Sequence, residues 1–137
     1  GTDRVTGDSL GPLVGSYLTS LERFNAKVYG TLEHPVHAVN LNEVLQILER
    51  KHRHADILAI DACLGKEEQV GNIIIKNGPV FPGAALRKDL PAVGNVHIKG
   101  VVNTDGQMEF LTLQSTRLYE VMKMSEVIAK GIVRYFK

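Results

Sequence analysis

Residues 56–61 read Asp-Ile-Leu-Ala-Ile-Asp, and their pattern decides the fold. The four central residues are all apolar, with no polar alternation, and Asp61 closes the run. A short strand that is apolar on both faces belongs inside a parallel sheet covered by helices on each side. The expected strand runs from Asp56 to Ile60 and ends on Asp61.

Helical patterns flank it. Upstream, Val44, Leu45, Ile47 and Leu48 lie in a polar frame and predict a helix over 41–53, whose basic last turn suits the negative end of the helix dipole. His34–Val39 reads as a strand ending in Asn40, and Ala26–Tyr29 as a short extended piece. Leu13, Val14, Tyr17, Leu18 and Leu21 mark a helix from about Gly11 to Phe24, with Pro12 in its first turn. Downstream, residues 71–82 read as a hairpin turning at Asn77-Gly78. A long loop over 82–94 follows, then a strand over Asn95–Val102 that ends in Asn103-Thr-Asp105-Gly106. Leu118, Val121, Ser125, Ile128, Ile132 and Tyr135 form one face of a last helix over 115–136, widened by Met122, Met124 and Val127. The alternation predicts one α/β domain over 1–137 with a mostly parallel sheet.

Composition narrows the function. A net charge of +1 carries no signature of a nucleic-acid partner, and the apolar runs are too short to span a bilayer. The single cysteine, Cys63, excludes an internal disulfide and a cysteine-based zinc site, and its default place is a small buried position in a reducing, cytoplasmic setting. The phosphate-loop patterns GxxxxGK[ST] and GxGxxG are absent. Gly11 and Gly15 read as points of close helix–sheet packing.

Sites in such sheets lie at the carboxyl ends of the strands. That rule gathers Asp8, Asn40, Asp61, Asn103 and Asp105 on one rim, with Asp3 and Arg4 as support. Each has a plainer reading. Asp8 could cap a helix, Asp61 could bind turn N–H groups, and Asn103 and Asp105 could be turn residues. Two close carboxylates share a proton, so one can take a proton from water while the other donates, the division of labour of aspartic proteases. The same pair could hold a divalent metal ion. His97 is set aside because it starts its strand, on a half-exposed face. His34 and His37 are set aside for the same position.

The stretches GTDRVTGDSLGPLVG, VYGTLEHPVHAVNLNE, ILAIDACLG and PGAALRKDLPAVG resemble the YyaC-type sporulation protein family over nearly the whole chain. That family is similar to the germination protease of spore-formers and, more distantly, to the hydrogenase maturation proteases. The resemblance implies their three-layer α/β sandwich, phosphorylase/hydrolase-like. It also implies a hydrophobic strand before Gly1, so that 1–137 lacks its first strand. Asp8-Ser-Leu-Gly-Pro12 and Ile60-Asp61-Ala62 match the segments that hold the two catalytic aspartates of germination proteases, which gives Asp8 and Asp61 that role. Hydrogenase maturation proteases add a histidine to recognise nickel, and this chain has no counterpart of it.

The expected function is a sporulation-associated peptidase, in which water is activated on the Asp8/Asp61 pair and Asn40, Asn103 and the 82–94 loop shape the cleft. No cofactor is required, and any metal would sit on Asp8 and Asp61. The partner is a protein or peptide substrate in the developing spore or mother cell, and a homo-oligomer fits the same reading. The alternative is a non-catalytic peptide- or metal-binding module on the same fold. A nucleic-acid-linked hydrolase is a third, weaker reading.

Overall fold

The protein is described here from a computed structural model, which gives residues 1–83 and 89–136. In chain order a 3-10 turn at Thr6–Asp8 leads into α1 (Leu10–Thr19), α2 (Leu41–Lys51), β1 (Leu58–Gly65) and β2 (Ile73–Asn77). The chain then continues through β3 (Val96–Thr104), α3 (Glu109–Gln114) and α4 (Leu118–Tyr135).

The domain is α/β, with a sheet of mixed rather than mostly parallel direction. β3 is central, parallel to β1 and antiparallel to β2. The expected hairpin is replaced by a longer-range pairing. Ile73–Asn77 pairs with β3, while Val80 makes only an isolated bridge to Val93. The turn at Asn77-Gly78 survives, with Gly78 at φ 98°, a left-handed value that glycine adopts without strain. Among the described residues no strand pairs with the other edge of β1.

Neither 26–29 nor 34–39 forms a strand. Pro35 supplies no N–H for a ladder, and Asn40 folds back on the segment instead. Most of the expected loop at 82–94 is described, but 84–88 lies outside the described residues. The helix α3 at Glu109–Gln114 had no sequence expectation.

One face of the sheet packs on α1 and α4. Leu58, Ile60, Ala62 and Leu64 of β1 and Ile98 and Val102 of β3 join Leu10, Val14 and Leu18 of α1 and Val121, Met124, Ile128 and Ile132 of α4. This is the apolar face read from sequence for α4, except that Leu118, Met122, Val127 and Tyr135 stay exposed. Gly100 lets the helices come this close, since a Cβ there would overlap Met124 Sδ and lie 2.5 Å from Leu10 Cδ2. The opposite face carries Ala59, Asp61 and Cys63 of β1 beside His97, Lys99 and Val101 of β3. No described helix is long and apolar enough to cross a membrane.

Candidate active site

The site is built where α1 meets β1. The segment that leads into Asp8 is tied down on both sides. The Gly1 amine donates to the Val36 carbonyl at 2.6 Å, and the Thr2 N–H donates to the Asp8 carbonyl at 3.0 Å. The turn that carries Asp8 closes with Asp8 N–H to Val5 O at 2.9 Å and Ser9 N–H to Thr6 O at 3.1 Å. Gly7 is buried against Leu113, where a Cβ would come within 2.8 Å of Leu113 Cδ2. The N-cap of α1 is Ser9 rather than Asp8, and its hydroxyl donates to Thr6 O at 2.6 Å instead of capping. Gly11, three residues beyond Asp8, then approaches β1 so closely that a Cβ would lie 3.2 Å from Ile60 O. This contact carries the Asp8 turn to the strand residue next to Asp61. Gly15 makes its close approach to the Gly30 carbonyl rather than to the sheet.

Asp61 is the fourth residue of β1, not its end. The strand continues to Gly65 because Ala62, Cys63 and Leu64 keep their ladder with β3, with one irregularity after Cys63. Asp61 therefore presents its carboxyl from the sheet face. Burial pushes its pKa from 3.8 up to about 7. The Gly1 amine opposes this, the Asp8 charge adds to it, and the Ala62 N–H and Lys99 oppose it further. The charge of Asp8 is thus felt at Asp61. Burial likewise raises the Cys63 thiol, with Lys99 lowering it and Asp61 raising it.

Both aspartates line a cavity of about 1180 Å³. Its walls include Pro12, Val14 and Leu18 of α1, Val44, Leu45 and Leu48 of α2, and the continuous run Asp56–Cys63. Successive strand residues point to opposite faces, so a run lined without gaps means the cavity follows the edge of β1 on which no described strand pairs. It exceeds the range of about 300–1,000 Å³ usual for small-molecule pockets.

Asp3 and Arg4 also line this cavity, from exposed positions. Three expected members do not. The Asn40 carboxamide staples its own turn, accepting from His37 N–H and donating to Pro35 O, each at 2.8 Å. The Asn103 amide donates to Thr116 Oγ1 at 3.2 Å, tying the end of β3 to the segment between α3 and α4. The Asp105 carboxylate accepts the Gly106 N–H at 2.9 Å in an exposed turn. For these three, the turn and structural readings describe the side chains.

His97 stays out of the cavity wall, but it is buried rather than half-exposed, with Nδ1 bonded to the Gly78 carbonyl at 2.9 Å. His37 does line the cavity, because 34–39 is turn rather than strand. Lys99 lines it too, and sequence reading missed that role because the β1–β3 register cannot be read from composition. Among the described residues no three His, Cys, Asp or Glu side chains gather to hold a metal ion. A divalent ion here would rest on the two carboxylates and water.

A family described as a protein of unknown function, DUF1256, matches residues 1–131. The chain is 50% identical over 132 residues to the uncharacterized protein YyaC of Bacillus subtilis (strain 168), covering 96% of this chain. The chain spans 64% of the length of that relative. No solved structure matches.

Proposed function

The chain belongs to the DUF1256 family, and we propose that it is a peptidase working through the Asp8–Asp61 pair. The observation that carries this reading is the Asp61 carboxyl, pushed up to about 7 beside a second aspartate at the wall of a large cavity. A pair of this kind holds one proton near neutral pH. In this reading Asp61, whose carboxyl is the one pushed up, keeps the proton, and Asp8 acts as the ionised base. Asp8 takes a proton from water as the water oxygen adds to the scissile carbonyl carbon. Asp61 gives its proton to the departing amine nitrogen. The proposal extends to the three-layer sandwich of germination proteases, to a substrate made during sporulation, and to a place in the spore or mother cell. The resemblance in the Asp8–Pro12 and Ile60–Ala62 segments supports these.

The test is cleavage of a proteome-derived peptide library by the purified protein, with new termini identified by mass spectrometry. Asp8→Asn and Asp61→Asn should each lower turnover at least about a thousandfold, the scale seen when one member of a concerted catalytic set is removed. Wild-type turnover in either variant would end the dyad mechanism.

The apolar wall of Val44, Leu45 and Leu48 favours a second reading, a peptide-binding module without turnover. Calorimetry separates the two. Tight binding of a library peptide or a divalent cation, lost in both Asp→Asn variants and without cleavage, supports the module.

A further inference from the structure

The register of the sheet sets a lysine beside the aspartate pair. Lys99 of β3 is the parallel in-register neighbour of Asp61 on β1, and both line the cavity. Neighbours in this register leave the sheet on the same face, from strands about 4.8 Å apart. The four-carbon stem of lysine carries its ammonium further from the sheet than the short aspartate side chain carries its carboxyl. That length lets the ammonium reach past the carboxyl into the cavity. Lys99 is half-buried, yet among the described residues its ammonium has no ion-pair or hydrogen-bond partner. A half-buried cation that makes no ion pair or hydrogen bond among the described residues favours an anion, or an oxygen gaining negative charge, close to it.

We propose that Lys99 is a catalytic electrophile, donating a hydrogen bond to the scissile carbonyl oxygen and holding the negative charge that develops there. This rests on the peptidase reading above. As the water oxygen bonds to the carbonyl carbon and Asp8 takes its proton, the carbonyl π electrons move onto the oxygen facing Lys99. When the C–N bond breaks, that electron pair returns to re-form the carbonyl, and the Asp61 proton goes to the amine nitrogen. Lys99 keeps all three of its protons. The proton gained by Asp8 then passes back to Asp61, so the net change is one water consumed per peptide bond, giving a carboxylic acid and an amine. The division fits the side-chain lengths, with the long cation over the carbonyl oxygen and the short carboxyls at the water and the leaving nitrogen.

The experiment compares Lys99→Met and Lys99→Arg with wild type on a quenched-fluorescence peptide carrying a bond that the wild-type protein cleaves. Lys99→Met should lower kcat by roughly 100- to 1,000-fold, the range for loss of one oxyanion donor. KM should stay within about threefold, because the interaction strengthens only as charge develops. Lys99→Arg, which keeps the charge, should recover at least about tenfold of the loss. A kcat for Lys99→Met within about threefold of wild type would overturn the electrophile while leaving the Asp8–Asp61 mechanism standing. Equal losses in both variants with lowered melting temperatures would also overturn it, showing a structural role. If the wild type cleaves no library peptide, the peptidase reading and this proposal fall together.

Discussion

Replacing Asp61 by asparagine should stabilise the protein in a strongly pH-dependent way. In the unfolded chain the carboxyl ionises near its ordinary 3.8, whereas in the fold it holds its proton to about 7. Below pH 3.8 both states are protonated and the group costs nothing. Between those values the unfolded state releases a proton that the folded state keeps, so stability falls as pH rises. Above about 7 the penalty is complete. The interval from 3.8 to about 7, at about 1.36 kcal/mol per pH unit, makes that penalty about 4 kcal/mol. The substitution removes it, since a carboxamide fills the same space without ionising. For a chain of this size about 4 kcal/mol corresponds to a melting-temperature gain of roughly 10 °C or more at pH 8. Urea denaturation of wild type and Asp61→Asn from pH 4 to pH 8 measures this without any substrate. The two curves should nearly coincide at pH 4 and separate steadily above it. A difference that does not vary with pH, or a variant less stable at pH 8, would refute the assignment of a buried, proton-holding Asp61.

Other expected outcomes rest on packing and on the relocated polar residues. Gly100→Ala should cost about 1–3 kcal/mol in chemical denaturation, because its Cβ meets Met124 Sδ and Leu10 Cδ2 where α1 and α4 close on the sheet. Asn103→Ala should lower stability by about 1–2 kcal/mol by releasing Thr116, yet leave kcat unchanged, since the side chain lies outside the cavity wall. A tenfold fall in its kcat without a fall in stability would return Asn103 to the site. Gly11→Ala should push α1 from Ile60 O by a few tenths of an ångström and lower kcat more than it lowers melting temperature, because Asp8 rides on that contact.

The strongest signals in the sequence were those that depend on local pattern. The continuous apolar run before Asp61 marked β1, and the spacing from Val121 to Ile132 marked the buried face of α4. The places of Asp8 beside a helix start and of Asp61 in an apolar strand were legible because they follow from neighbours a few residues away. Pairings between distant segments were not legible. Ile73–Asn77 carries the same strand pattern whether it pairs with 79–82 or with β3, and only β3 offers it a full-length ladder. The same limit hid Lys99, whose relation to Asp61 exists only through register across 38 residues of chain. Asn40, Asn103 and Asp105 were misplaced because an edge rule treats every polar residue at a strand end as facing the site. Their actual partners, Pro35 O, Thr116 Oγ1 and Gly106 N–H, are local backbone and helix-junction groups.

The two aspartates stand on supports of different durability. Asp61 lies within a parallel ladder of eight paired positions between β1 and β3 and should open only when the sheet does. Asp8 sits on a single 3-10 turn outside any ladder, closed by backbone bonds to Val5 and Thr2 and packed through Gly7 on Leu113. Such a turn can open at a small fraction of the global unfolding free energy. A short turn and a long ladder are expected to open at different free energies. Amide exchange at Asp8 and Ser9 would be fast beside that at Asp61 and Ala62, and heating would erase the coupling between the carboxyls before it melts the sheet.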